Sequence, residues 1–164
     1  MDIELRDAAP GDHEEMRDIF NYYVENTSAT YTETPVGPEM FDSLMCFNQD
    51  YPALIVRDDD GSMAGFGVLR PYSRIPAFDG TAELSIFLRA GYTGMGIGTM
   101  ILDVLEDRAR EMEIRSILAT VSSLNEESVR FHIARGFSMQ GRLEGIGRRR
   151  GRTFDVVLLL KMLD

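Results

Sequence analysis

Thr93-Gly94-Met95-Gly96-Ile97-Gly98 stands between two patterned stretches. Upstream is the apolar run Ala82-Glu83-Leu84-Ser85-Ile86-Phe87-Leu88, and downstream Ile97, Ile101, Leu105 and Ala109 recur at helical spacing. Three alternating glycines at a strand-to-helix turn let a ligand approach the backbone closely. They also leave N–H groups unpaired at the positive end of the helix, which suits a phosphate or pyrophosphate. A dinucleotide fold uses Gly-x-Gly-x-x-Gly with an acidic residue ending the next strand, whereas here that strand ends Val121-Ser122-Ser123. A nucleotide-hydrolase loop needs Gly-Lys-Ser/Thr, and this loop holds no lysine.

The rest of the chain supplies alternating strand and helix patterns. Ile3 and Leu5 alternate with polar neighbours in a first strand ending near Ala8, and Pro10-Gly11-Asp12 opens a helix with Asp12 as its cap. Met16, Ile19, Phe20, Tyr23 and Val24 share one face of that helix. Thr27 to Thr34 reads as a loop, and a second helix runs from Pro38 to about Asn48 with Phe41, Leu44 and Met45 inward. Ala53 to Arg57 and Met63 to Arg70 flank the turn Asp58-Asp59-Asp60-Gly61. After the loop Pro71 to Gly80 come a strand over Thr81 to Leu88, the glycine loop and a helix from about Gly96 to Met112. Ser116 to Val121 is a strand and Asn125 to Arg135 a helix. Phe137 to Gly147 and Thr153 to Met162 close the chain as an antiparallel pair. The order β-α-α-β-β-β-α-β-α-β-β belongs to the mixed α/β (α+β) class.

Composition sets the bounds. A chain of 164 residues, 44% apolar, is long enough for one domain over residues 1–164 with a sizeable core. A formal net charge of −10 argues against general nucleic-acid binding. The longest apolar run, Val156 to Leu160, is too short for a membrane span, and the start Met1-Asp2-Ile3-Glu4 lacks the pattern of a signal peptide. The lone Cys46 excludes an internal disulfide and fits a reducing cytoplasm. Two histidines without clustered cysteines give no metal signal.

The glycine loop, its helix, and the later run Asn125-Glu126-Glu127-Ser128-Val129-Arg130-Phe131-His132 with Gly136-Phe137 resemble the GNAT superfamily of acyl-CoA N-acyltransferases over essentially the whole length. The superfamily loop has the form Gln/Arg-x-x-Gly-x-Gly/Ala; Gly96 and Gly98 match, and Thr93 replaces the usual Gln or Arg. Within the superfamily the chain is most similar to the phosphinothricin and methionine sulfoximine N-acetyltransferases. The matching segments are Ala29-Thr30-Tyr31, Pro71-Tyr72, Ala77-Phe78-Asp79, Thr81-Ala82-Glu83, the Asn125 to His132 run, and Gly151-Arg152 with Asp155-Val156-Val157. Thr153 stands where that family has a tryptophan, and its usual arginine position holds Ile75, with Arg74 beside it.

The resemblance implies a GNAT fold: a central mixed, mostly antiparallel twisted sheet of seven strands flanked by four helices. It implies acetyl-CoA as acyl donor, a small-molecule primary amine as acceptor, and a homodimer. The donor's pantetheine arm would pair with the backbone of Ile86, Phe87 and Leu88 like an added strand. Its pyrophosphate would rest on the loop Thr93, Gly94, Met95, Gly96, Ile97, Gly98 and Thr99, and Asn125 and Ser128 would contact the cofactor. Glu83 is the candidate general base, because an ammonium must lose a proton before it attacks, and desolvation in an apolar strand makes a carboxylate a better proton acceptor. His132 occupies the place where many members carry a tyrosine that protonates the departing thiolate. Tyr31, Arg70, Tyr72 and Arg74 are the candidates for holding an amino acid analogue, with Arg74 or Arg70 pairing its carboxylate.

Two further readings use the same residues: acetylation of a peptide N-terminus or lysine, and a CoA-binding sensor without turnover. The cluster Arg148-Arg149-Arg150-Gly151-Arg152 fits a solvated hairpin turn, with CoA phosphates, a partner subunit or an RNA complex as its other readings.

Overall fold

A computed structural model describes residues 2–164. Strand β1 (Ile3–Asp7) leads through a 3-10 turn (Pro10–Asp12) into α1 (His13–Asn26) and α2 (Pro38–Met45). Then come β2 (Ala53–Asp58), β3 (Met63–Pro71), a short 3-10 turn (Pro76–Phe78), β4 (Thr81–Leu88) and α3 (Ile97–Glu111). The chain closes with β5 (Ser116–Ser122), α4 (Glu126–Ala134), β6 (Ser138–Arg149) and β7 (Arg152–Met162). The seven strands form one sheet in the order β1-β2-β3-β4-β5-β7-β6. All pairs are antiparallel except β4 with β5, which also has the shortest register: Thr81, Ala82 and Glu83 face Ser116, Ile117 and Leu118, and there the pairing stops.

Strand alternation sorts the core into two layers. Ala82, Leu84, Ile117, Ala119, Val157 and Leu159 pack against Ile97, Ile101, Leu105 and Ala109 of α3, the stripe expected from spacing alone. The other face packs Phe66 and Val68 of β3 and, partly buried, Phe87 of β4 against Met16, Ile19, Phe20 and Val24 of α1 and Phe41 and Met45 of α2. No helix among the described residues is long and apolar enough to cross a membrane.

Three local expectations change. Helix α2 stops at Met45, because Cys46 takes a left-handed conformation (φ 56°) and its N–H returns to the carbonyls of Asp42 and Ser43. Leu44 is consequently turned to solvent while Phe41 and Met45 stay buried. The basic run is strand rather than broad turn: β6 reaches Arg149 and β7 begins at Arg152. Only Arg150 and Gly151 make the bend, both at positive φ (50° and 76°), as a tight two-residue hairpin requires.

Asp12 does not cap α1. Its buried carboxylate accepts from Ala9 N at 2.7 Å, from Arg6 at 2.8 and 2.9 Å, and from Arg57 at 2.9 Å. Arg57 also binds Glu15 at 2.8 Å, so β1, β2 and α1 meet at one ionic node. The Arg6 hydrogen bonds, helped by Ala9 N–H and Arg57, hold the Asp12 carboxyl far below the usual carboxylate range against the pull of burial. The unfolded chain takes up a proton near pH 3.8 while the fold resists it, so this stabilisation is full above that pH and is lost as pH falls below it. Asp12→Asn is therefore expected to lower the unfolding free energy at neutral pH by about 1–2 kcal/mol, because it removes the charge shared by Arg6 and Arg57 while Arg57 keeps Glu15 and Arg6 keeps access to solvent. Denaturant titrations at pH 7 and pH 3 check this, with the gap between variant and parent shrinking in acid.

Candidate active site

The opening between β4 and β5 organises the site. Arg89 N–H donates to Ala64 C=O at 2.8 Å and Tyr72 N–H to Thr81 C=O at 3.3 Å, both on the β3–β4 register. Alternation in an antiparallel pair then commits the backbone groups of Glu83, Ser85 and Phe87 to β3 and turns those of Ile86 and Leu88 towards the opening. Of the three residues expected to pair with an extended ligand arm, Phe87 is thus excluded. Its side chain lies in the aromatic layer with Phe20, Tyr23 and Phe66. The Leu88 carbonyl is already taken by the Tyr23 hydroxyl of α1, a contact without a sequence signal.

The glycine loop ends at the same opening. Gly94 and Gly96 adopt positive φ (75° and 82°), and a Cβ on either would meet no atom within 4 Å, so conformation rather than crowding demands glycine. Gly96 caps α3 without a side-chain bond, and no acidic residue lies in the first turn. Helices α1 and α4, by contrast, begin with Glu14-Glu15 and Glu126-Glu127. The N–H groups of Ile97, Gly98 and Thr99 therefore open α3 beside an uncompensated positive helix end. Thr93 and Met95 are exposed on the loop, while the Ile97 side chain is buried in the core.

Arg135, just beyond α4, adds a cation here. It donates to Thr99 Oγ1 and lies 4.1 Å from the centre of the Phe131 ring. It makes no ion pair with an acid among the described residues. A donor with a pyrophosphate, an extended amide arm and a thioester fits these groups in order: amides and Arg135 for the phosphates, Ile86 and Leu88 for the arm. In the sequence Arg135 stands in the run Arg135-Gly136-Phe137 that follows the Asn125 to His132 segment, a position that carries no role for its side chain until the fold brings it to Thr99.

Helix α4 starts at Asn125, whose side chain accepts from Ser128 N at 3.3 Å, so it is an N-cap. His132 is buried, with its ring edge-on to Phe131 and Phe137. Its Nδ1 lies 2.7 Å from the Ser128 carbonyl, and a carbonyl only accepts, so Nδ1 carries the proton and Nε2 is left as an acceptor. Burial pushes the imidazole pKa down, against the pull of that carbonyl. A neutral imidazole in this tautomer has no proton to give from Nε2, which argues against the general-acid role implied by its position.

On the opposite face of β4, Glu83 and Ser85 project towards the α1 side. Glu83 is less enclosed than its apolar strand suggests, with 30% of its side chain exposed. Arg70, its register partner on β3, lies 3.5 Å from Glu83 Oε2 and donates to Ser85 Oγ at 2.7 Å. Arg70 is thus engaged with the candidate base, with further guanidinium donors to spare. Tyr31 joins this face from the loop after α1. Its half-exposed ring lies parallel to Phe154 of β7 (5.7 Å, 3°). Desolvation and the Glu83 charge raise the phenol pKa, while the neighbouring Thr120 hydroxyl works the other way.

The four acceptor candidates do not all converge. Tyr31 and Arg70 stand by Glu83, whereas Tyr72 and Arg74 line a separate cavity of about 740 Å3 with Asp42, Cys46 and Phe47 at the end of α2. The Tyr72 ring packs edge-to-face on Phe78, and Glu83 does not reach this cavity. Among the described residues no cluster of His, Cys, Asp or Glu has the makings of a metal site.

Among the described residues the mixed sheet opens between its one parallel pair, and a helix end suited to an anion lies beside that opening. Residues 16–137 match the acetyltransferase (GNAT) family, and the chain belongs to that family. It is 31% identical to an L-methionine sulfoximine/L-methionine sulfone acetyltransferase of Pseudomonas aeruginosa, over all of this chain and 96% of the relative. A phosphinothricin acetyltransferase from Sinorhizobium meliloti, solved in complex with acetyl-CoA, superposes with a TM-score of 0.89 at 29% identity, covering 99% of this chain and 89% of that one. A ribosomal-protein-alanine N-acetyltransferase from Brucella melitensis superposes with a TM-score of 0.87 at 30% identity, over 98% and 99% of the two chains.

The His132 geometry has a pH consequence. The unfolded imidazole protonates below about pH 6.5, while the buried ring resists protonation, so the fold loses stability as pH drops through that value. Thermal unfolding of His132→Gln against the parent from pH 8 to pH 5 is expected to show a weaker acid slope in the variant.

Proposed function

We propose that the chain transfers an acetyl group from acetyl-CoA to the primary amine of a small amino acid analogue of the methionine sulfoximine, methionine sulfone or phosphinothricin type. The observation that carries this reading is the division of β4. Ile86 and Leu88 turn their amides into the opening between β4 and β5, while Glu83, earlier on the same strand, faces Arg70 and Tyr31. Binding the donor on the α3 side therefore leaves the acceptor side free for an amine.

In the proposed reaction the acceptor's ammonium gives a proton to the Glu83 carboxylate, directly or through one water, which frees the nitrogen lone pair. The nitrogen lone pair attacks the thioester carbon, and the resulting oxyanion is met by a backbone N–H facing the opening. As the C–S bond breaks, the proton still carried by the attacking nitrogen passes through solvent to the departing CoA thiolate. This leaves the amide, CoA thiol and a protonated Glu83 that returns its proton to solvent. His132, whose Nδ1 faces the Ser128 carbonyl, is not needed as the acid. Arg70 orients Glu83 and Ser85 and has donors left for the carboxylate of an amino acid acceptor. Gly94, Gly96 and the α3 amides hold the pyrophosphate with Arg135 alongside, and Asn125 and Ser128 shape the wall across the opening.

A protein N-terminus is the second reading, favoured by the name of the Brucella neighbour. A homodimer and a cytoplasmic location belong to the same proposal. Exposed Met139, Leu143 and Ile146 on the edge strand β6 support the first, and the lone Cys46 supports the second.

Release of CoA thiol from acetyl-CoA across amino acid analogues and short peptides tests the acceptor. Turnover confined to the analogues supports the proposal, and turnover confined to peptides replaces it with the second reading. In the same assay Glu83→Gln is expected to lower kcat by about 100-fold or more. Its acetyl-CoA affinity stays within about twofold of the parent, since the substitution removes a proton acceptor and not a donor contact.

A further inference from the structure

The basic run Arg148 to Arg152 is not used by the proposed chemistry, and its second residue, Arg149, is not solvated. Arg149 is 5% exposed. Its Nε donates to Thr32 C=O at 2.9 Å, Nη1 to Thr27 C=O at 2.6 Å, and Nη2 to Val24 C=O. It forms no ion pair with a carboxylate among the described residues. The charge is met by peptide oxygens, two of them from the C-terminal end of α1, where the helix dipole favours a cation.

Arg150 reinforces the same junction. Its backbone N–H donates to Glu33 at 2.6 Å and its Nη2 to Val24 C=O at 2.9 Å. These contacts offset the cost of holding a non-glycine residue at φ 50° in the hairpin turn. The clamped segment, residues 27–36, is the loop that carries Tyr31. It also contains the buried Thr32 hydroxyl, which has no hydrogen-bond partner.

A second contact from the same hairpin meets Tyr31 itself. Phe154 of β7 stacks flat on the Tyr31 ring and crosses over Gly147 of β6, where a Cβ would come within 2.1 Å of its ring. Hairpin β6–β7 therefore fixes the loop through Arg149 and the aromatic ring through Phe154.

We propose that Arg149 is a positioning residue for the acceptor site: by binding the three carbonyls it fixes the loop that presents Tyr31 beside Glu83, and so sets acceptor affinity from the β6–β7 end of the sheet. This rests on the reading of the Tyr31 and Glu83 face as the acceptor side. Arg149 touches neither substrate, so its removal is felt by the acceptor and not by the donor.

The test compares R149M, R149K and the exposed-hairpin control Arg148→Ala in the full chain. The readouts are acceptor KM and kcat, acetyl-CoA affinity, and hydrogen exchange of residues 27–36. R149M is expected to raise acceptor KM about tenfold or more, with acetyl-CoA affinity within about twofold of the parent. Exchange should quicken in residues 27–36 and not in α3. R149K, which keeps the charge but loses the fork, falls between, and Arg148→Ala matches the parent. Phe154→Leu raises acceptor KM while residues 27–36 stay protected. Parent-like acceptor KM and exchange in both Arg149 variants overturn the proposal, as does a parallel loss of donor affinity, which would mark Arg149 as merely structural. If R149M does not fold, R149K carries the same readouts. Should the parent turn over no acceptor, the functional reading fails alone, and the exchange pattern still decides whether Arg149 holds the Tyr31 loop.

Discussion

Everything in the site depends on β4 and β5 parting after three paired residues. A parallel pair that continued to Leu88 would satisfy the backbone of Ile86 and Leu88 within the sheet and leave nothing for an extended ligand. Each half of the sheet is instead tied elsewhere: β4 to β3 along its whole length, and β5 to β7 from Ser116 to Ser122. The opening is thus held from both sides, and α3 and α4 pack beneath the two halves separately. Interior peptide groups without partners cost on the order of 1–3 kcal/mol each. Under the proposed function an incoming amide arm would recover part of that cost at Ile86 and at the Leu88 N–H, the Leu88 carbonyl being met by Tyr23.

Pleating then lets one strand serve two substrates. Side chains of Leu84, Ile86 and Leu88 point into the α3 layer, and those of Glu83, Ser85 and Phe87 into the α1 layer, while the backbone groups alternate within the plane. Under the proposed function the donor is addressed by main chain and the acceptor by side chain. Substitutions on the acceptor face can accordingly change the amine without disturbing the donor, and relatives whose names differ in acceptor share this fold at TM-scores near 0.9.

What was legible in the sequence was local. The α3 stripe, the glycine loop and the order of elements follow from period and turn chemistry acting within a few residues. What a local pattern hides is competition from outside it: Asp12 has an α1 terminus to cap and stronger partners in two arginines, one of them 45 residues away. Cys46 ended α2 early through a left-handed turn that its residue type does not advertise. Tyr72 and Arg74 lie close to Arg70 in sequence, yet β3 ends at Pro71 and the chain turns them towards α2. Phe87 was grouped with its neighbours because sequence adjacency hides which way a peptide group faces. His132 was placed correctly in α4, but only the carbonyl at Nδ1 shows which nitrogen carries the proton.

Arg149 illustrates the limit most sharply, because five residues rich in arginine read as a solvated bend under any local rule. Its partners lie 117 to 125 residues away in sequence. An acidic partner there would have fixed a side chain and left the backbone of the loop free to shift. Carbonyl partners fix the backbone itself, at three points spanning the end of α1 and the loop beyond it. Burying an arginine without a carboxylate is costly unless its donors are met, and a planar fork with five N–H groups is the side chain able to meet three diverging carbonyls at once. The same geometry explains why the charge need not be neutralised: the end of α1 already presents partial negative charge where the guanidinium arrives. The cation, the helix terminus and the aromatic stack thus act as one brace on a loop that has no regular structure of its own.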